Sequence, residues 1–298
     1  MGDTGATPAA LGDVTPGRLR ERCELPPAGT VVDLAVSGGA DSLALLVLAA
    51  DAGCRATAIH VDHGLRPGSA AEGAVVSAAA DRFGVAFRQV RIEVEPGPNL
   101  EARARAARYG ALPADVLTGH TADDQAETVL LNLLRGAGLD GLGGFHPGRR
   151  PLRRLRRRET AALCASLGLV PVQDPSNEDR RFRRNRVRRE LLPLLDDIAA
   201  RDVVPVLARQ ADLLRDDAAV LEALAAEIDP TDAAALAGAP PALARRAVRA
   251  WLRAGSEQHP PDAATVERVL AVARGEAVAT DVGAGHEVRR AAGRLTRR

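Results

Sequence analysis

The chain has 298 residues, 46% of them hydrophobic, enough for one large domain or two smaller ones with a real core; with aromatics at 2%, that core must be built of Leu, Val and Ala. The net charge is +1, and all 40 basic residues are Arg, because the sequence contains no lysine. No apolar run is long enough to span a membrane, and the opening MGDTGATPAALGD lacks the regions of a secretory signal and the myristoylation pattern. Cys23, Cys54 and Cys164 are odd in number and far apart, which points to reduced thiols in a cytoplasmic protein and away from a zinc or iron–sulfur framework.

Residues 1–29 read as a loose lead-in around a short helical piece. Val31 to Val36 is an apolar run that predicts a buried strand, and the Leu/Ala-rich run ending at Ala50 predicts a helix. Between them stands Ser37-Gly38-Gly39-Ala40-Asp41-Ser42. Glycines let a backbone turn tightly and approach a ligand, and the first amides of a helix point unpaired from the positive end of its dipole. Strand, small-residue loop and helix start together make an anion site, most often for phosphate; the plain alternative is a tight turn with no ligand. The loop has adjacent glycines, so it is not the dinucleotide fingerprint, and without lysine it is not a Walker loop.

A second strand, Arg55 to Val61, ends in Asp62-His63-Gly64-Leu65-Arg66, where open α/β sheets bind ligands. A helix is expected over Ser69 to Phe83 and a third strand over Val85 to Val94, broken by Pro96-Gly97-Pro98. Asn99 caps a helix from Leu100 to Leu112 that carries Arg103, Arg105, Arg108 and Tyr109. Asp115 to Gly119 reads as a short buried strand. His120 to Glu127 then opens a helix with Val129, Leu130, Leu133 and Leu134 as its apolar face. Strands alternating with helices predict an α/β fold, a doubly wound, mainly parallel sheet.

The near-neutral total hides a local block. From Arg149 to Arg189 there are 14 Arg against four acids, or +10, which leaves about −9 for the rest. Such a block is either a polyanion footprint or a solvated charge run. Within it a helix is expected from Glu159 to Leu167, followed by Asp174-Pro-Ser-Asn177 and Arg184-Asn185-Arg186-Val187-Arg188. From about 203 the composition turns to Ala, Leu and charged residues with helical periodicity, broken at Pro230, Pro240-Pro241 and Pro260-Pro261. The expected organisation is a catalytic domain over 1–205, with the arginine-rich segment at 149–189, and a smaller, mainly helical domain over 206–298. The tail reads as a hairpin around Gly283-Ala284-Gly285.

The hexapeptide at 37–42 resembles the PP-loop of the ATP pyrophosphatases, which cleave ATP between the α and β phosphates. Together with HVDHGLR at 60–66, ARAARY at 104–109, GHTADDQAET at 119–128, LLRGAGLDGL at 133–142, RPL at 150–152, DPSN at 174–177 and RNRVR at 184–188, it resembles the tRNA(Ile)-lysidine synthetase family. These motifs cover most of residues 31–195; beyond about 205 only length and helical character agree. The resemblance implies a PP-loop, adenine nucleotide alpha hydrolase-like domain. It also implies that ATP adenylates the wobble cytidine of an isoleucine tRNA with a CAU anticodon, after which free L-lysine displaces AMP. Mg²⁺ is the implied metal.

Carried onto this chain, the resemblance places ATP on Ser37, Gly38, Gly39, Ala40, Asp41 and Ser42, with Asp41 on the metal. His63 and Arg66 join the nucleotide site, although His60 and His63 could equally fill polar positions at a strand end. Asp124 and Glu127, at i and i+3 on one helix face, would bind the lysine ammonium, and one would take its proton. The role of Asp123 beside them is not separable from sequence. Arg105 and Arg108 are candidates for phosphate or the activated base, Arg108 among the catalytic group. Arg150, Arg184, Asn185 and Arg188 would position the tRNA. The family's usual Tyr ahead of the RN motif is Phe182 here, so its hydroxyl is lost. A tRNA thiolase is the nearest rival, and the absence of C-x-x-C argues against it. The sequence leaves the oligomeric state open, a homodimer included.

Overall fold

The computed structural model describes residues 14–62, 64, 69–93, 103, 106–108, 110–173, 178–254 and 261–298. His63, Arg66, Arg105, Tyr109 and the DPSN motif at 174–177 lie outside the described residues.

Four strands, β1 (Val31–Ala35), β2 (Arg55–Asp62), β3 (Ala86–Arg91) and β4 (Leu117–Thr118), form a parallel sheet in the order β3-β2-β1-β4. Leu34 of β1 stands between Ala58 of β2 and Leu117 of β4 and is fully buried. The chain steps outward from β1 to β3, then returns to the other side of β1. The loops leaving β1 and β4 therefore diverge at a topological switch point, where such sheets take ligands. The loop after β1 is Ser37–Gly39, and the segment after β4 begins at Gly119.

Among the helices of this part are α1 (Pro16–Arg20), α2 (Ala40–Asp51), α3 (Ser69–Arg82), α4 (Ala122–Leu134) and α5 (Arg157–Ser166). Helix α2 is buried from Ser42 to Ala49, because α5 packs on it through Leu163 and Cys164 while β1 and β2 lie against it as well. Fully burying a leucine contributes roughly 1.5–3 kcal/mol, so the leucines of α2 anchor its N-terminus firmly against the sheet.

Helix α4 starts at a capping box, with the Asp124 carboxylate accepting from the Thr121 amide at 2.8 Å. Val129 and Leu130 are buried as expected, but Leu133 and Leu134 are 55% and 69% exposed. Helix α6 (Arg183–Arg186) continues through a π-helical turn (Val187–Leu191) into α7 (Leu192–Ala199). Val187 and Leu192 pack against Ala122, Ala126 and Leu130, which draws the RNRVR segment onto α4.

Two compact units divide the chain, Met1–Asp212 and Leu213–Arg298, and the division falls within helix α8 (Val204–Ala226). The second unit has α9 (Ala233–Gly238), α10 (Pro241–Arg253) and α11 (Ala263–Arg274), with Val248, Val269, Leu270, Val288 and Leu295 in its core. Its tail is more than a hairpin. Strands β5 (Ala279–Gly283), β6 (His286–Ala291) and β7 (Arg294–Arg297) make an antiparallel meander in sequence order. No described helix is long and apolar enough to cross a membrane.

Candidate active site

The loop after β1 is held by its own serines. The Ser37 amide donates to Ser42 Oγ at 3.2 Å, and Ser42 Oγ donates to the Gly39 carbonyl at 2.9 Å. Gly38 has φ +84°, and a Cβ there would stand 2.9 Å from Val172 Cγ2. Only glycine fits both constraints. At the end of β4, a Cβ on Gly119 would lie 2.6 Å from the Asp41 carbonyl oxygen. That close approach brings the start of α4 to the head of α2.

A cleft of about 470 Å³ opens where these segments meet. Ser37, Gly39, Ala40, Asp41 and Ser42 line it, with His120 and Asp124 from the β4 side. Arg108 lines it too, and its Nε is buried with no hydrogen-bond partner among the described residues. Arg157 and Arg188 close another side. Five of the six loop residues expected at the nucleotide, together with Asp124, Arg108 and Arg188, thus share one cavity. Gly38 shapes the loop without lining it.

The acidic residues are bound by arginines. Asp41 pairs with Arg157 Nε at 3.3 Å and accepts a hydrogen bond from Thr160 Oγ1. Asp124 Oδ1 accepts from Arg157 at 2.9 Å and from Arg184 at 2.7 Å. Glu127 is fully buried and takes Arg157 at 2.9 Å and Arg188 at 2.7 Å, with Arg184 Nε on its other oxygen. Three carboxylates therefore face three guanidiniums, and Arg157 touches all three acids.

The two aspartates differ electrostatically. Burial pushes the Asp41 carboxyl up to about 6; the Asp124 charge adds to this, and Arg157 opposes it. Burial works against ionised Asp124 as well, but there Arg157 and Arg184 prevail and hold its pKa down to about 2. Asp123 is now separable from both. It accepts two bonds at 3.0 Å from the Arg156 side chain and one at 2.8 Å from the Arg157 amide, so it fixes the start of α5.

The arginine-dense stretch splits by direction. Arg157, Arg184 and Arg188 turn inward. Arg153 is tied to Glu24 and Asp212, and Arg156 to Asp123 and Asp202. Arg150 lies over the Phe145 ring at 4.4 Å and donates to the His146 carbonyl, outside the cleft lining. Asn185 is buried and donates to the Asp179 carbonyl at 2.9 Å, so it holds the turn that leads into α6. Sequence reasoning missed Arg157 and Thr160. Their signal is the spacing of Thr160, Leu163 and Cys164, the buried face of α5, which extends back by i−3 to Arg157.

The fold and loop define a PP-loop ATP-binding domain, and residues 21–195 match the family described as PP-loop domain. Residues 232–296 match the TilS substrate binding domain. The tRNA(Ile)-lysidine synthase of Nocardia farcinica is 47% identical over 255 residues, covering 80% of this chain and 80% of the relative. That of Mycolicibacterium paratuberculosis is 48% identical over 238 residues, covering 74% of each. The chain belongs to the tRNA(Ile)-lysidine synthase family. Among solved structures, the U34-tRNA thiolase NcsA from Methanococcus maripaludis, with its [4Fe-4S] cluster, matches with a TM-score of 0.54 at 18% identity. The match covers 67% of this chain and 78% of that one, and it speaks to the fold alone.

Proposed function

We propose that the chain joins free L-lysine to the 2-carbon of the wobble cytidine in an isoleucine tRNA with a CAU anticodon, cleaving ATP to AMP and pyrophosphate. The cytosine 2-oxygen attacks the α-phosphorus, the bond to the bridging oxygen breaks, and pyrophosphate leaves. The ε-amine of lysine then attacks the 2-carbon, sheds a proton, and AMP departs with the former 2-oxygen.

The amides of Gly38 to Asp41 face the phosphates, where oriented donors stabilise charge that builds on the phosphoryl oxygens. Asp41 would hold Mg²⁺, which offsets that charge when bound. One carboxylate plus substrate phosphates suits this ion. Arg108, whose Nε has no partner among the described residues, is assigned to the nucleotide or the activated base. His63, Arg66 and Arg105 keep the roles their motifs imply.

Asp124 lines the cleft and receives the lysine ammonium by exchange with a guanidinium. The guanidiniums around Asp124 hold its carboxyl ionised, so we assign it to holding the ammonium and not to taking its proton. Glu127 has no exposed surface, so we assign it to holding Arg157, Arg184 and Arg188 in place. Asn185 likewise positions its helix. Arg150, the outward arginines of 149–189 and the unit from 213 onward are assigned to the tRNA.

The observation that carries this reading is the reach of Arg157, which joins Asp41 at the loop to Asp124 at the head of α4. Nucleotide and amine sites are thereby one guanidinium apart. The test incubates the chain with ATP, Mg²⁺, labelled lysine and transcribed CAU-anticodon tRNA. Label should enter the RNA, and Asp41→Asn should stop pyrophosphate release while tRNA still binds. Pyrophosphate release that is indifferent to the tRNA, or no label in the RNA, overturns the reading.

A further inference from the structure

One buried polar atom in the cleft has no role in the chemistry above. His60, on β2, is 2% exposed, and its Nδ1 stands 3.0 Å from the Val36 carbonyl oxygen. A carbonyl only accepts, so Nδ1 carries the proton, and in the neutral ring Nε2 is an acceptor. Val36 is the residue just before the loop, so the ring is fixed against the last carbonyl ahead of the phosphate cradle. Nε2 itself is buried and has no hydrogen-bond partner among the described residues. Buried acceptors are almost always satisfied, and one left open beside a cleft calls for a donor on the ligand.

The surroundings indicate which part of the ligand. Besides His60, the cleft lining includes Ala35, Val36, Ile59, Val61 and Leu112, and Ala35, Ile59, Val61 and Leu112 pack into one apolar cluster. An apolar wall with a single acceptor suits a flat heteroaromatic base that carries an amino group; phosphate and sugar bring several polar groups each. We propose that His60 Nε2 accepts a hydrogen bond from the exocyclic amino group of the nucleotide base, and so selects an aminopurine over an oxopurine. A 6-oxopurine would set acceptor against acceptor there. The proposal rests on the reading of the cleft as the ATP site.

The test uses the full chain with tRNA and compares pyrophosphate release from ATP, purine riboside triphosphate, inosine triphosphate and 2′-deoxy-ATP. In the unaltered protein, kcat/KM should fall about tenfold when the amino group is missing and further with the 6-oxo base, a usual cost for one lost hydrogen bond. His60→Leu should bring ATP down to the level of purine riboside triphosphate and leave that analogue unchanged. His60→Gln, which keeps an acceptor, should recover part of the preference. Equal losses for ATP and purine riboside triphosphate in His60→Leu would mean that the ring only pins Val36, and would overturn the proposal. A penalty that vanishes for 2′-deoxy-ATP instead would move the contact to the sugar and overturn it too. If His60→Leu does not fold, the unaltered protein decides, since equal use of ATP and purine riboside triphosphate overturns the proposal directly. Failure of the unaltered protein to bind any of these triphosphates would remove the ATP reading itself, a result distinct from the others.

Discussion

At the head of α2 the chain meets the cleft with backbone: Ser37 to Ser42 turn on Gly38, and their short side chains hold the loop closed on itself. Along 149–189 it meets the same cleft with long side chains, and adjacent arginines go opposite ways. Arg157 reaches Asp41, Asp124 and Glu127, whereas Arg154 and Arg158 on either side of the Arg156–Arg157 pair are 61% and 58% exposed. A backbone site needs only a local conformation, and a few residues specify it. A side-chain site needs a tertiary partner for each charge. The first tolerates change around it; the second is as strong as its weakest counter-ion.

The largest effect should therefore come from removing the carboxylate on which three guanidiniums converge. Glu127→Gln leaves Arg157, Arg184 and Arg188 with one fewer counter-charge in a buried place. Breaking a buried pair from one side costs about 3–5 kcal/mol. Urea unfolding should show that loss as a lower midpoint with an unchanged slope. A change under about 1 kcal/mol, the range of exposed pairs, would mean that water reaches the cluster and that the inward arginines are no different from the outward ones.

This contrast also decides what could be read from the chain. Ser37 to Ser42 was legible because strand, glycines and helix start are consecutive. Asp41 and Asp124 were legible as residues of the first turns of two helices. Arg157 was not, because in Arg156-Arg157-Arg158 only the pitch of α5 tells which guanidinium faces inward. Nor could sequence part Asp123 from Asp124; neighbours on a helix point about 100° apart, so one meets Arg156 and the other Arg157 and Arg184. The third strand of the tail went unread for a similar reason. Leu295 is the one large apolar residue of β7, and alone among Arg294, Thr296 and Arg297 it gives almost no period.

The two aspartates sharpen the comparison at intermediate size, because burial acts on both and only one is rescued by arginines. The Asp41 carboxyl sits at about 6 in the folded state against an ordinary 3.8, so its ionised form weakens the fold, and stability falls as pH rises from about 3.8 to about 6. Asp124 sits at about 2, so it adds stability above about 3.8 that is lost as pH falls through about 2. At pH 7, without ligands, Asp41→Asn should raise the unfolding free energy and Asp124→Asn should lower it, each by about 2–3 kcal/mol. The Asp41→Asn gain should disappear near pH 4, and the Asp124→Asn loss should shrink as the pH approaches 2. Denaturant unfolding across that range measures both. Shifts of the same sign would mean that Arg157 serves the two carboxylates alike and that the cluster has no preferred side.

The smallest effect concerns the outward arginines, where nothing internal should register. Arg183 is exposed and pairs with no carboxylate among the described residues, while its neighbour Arg184 is held by Asp124 and Glu127. If Arg183 meets the tRNA backbone, Arg183→Gln should leave the unfolding midpoint where it was. It should also reduce the slope of log affinity against log salt by about 1, since each phosphate contact releases roughly one counter-ion. Arg184→Gln should do the reverse, leaving the salt slope intact and lowering lysine incorporation through the loosened Asp124. Filter binding of the tRNA over a salt series, with lysine incorporation measured on the same preparations, reads both quantities. A flattened salt slope in Arg184→Gln but not in Arg183→Gln would mean that the inward guanidinium leaves its carboxylates for the RNA, and that the direction each arginine takes in the free protein does not predict what it touches in the complex.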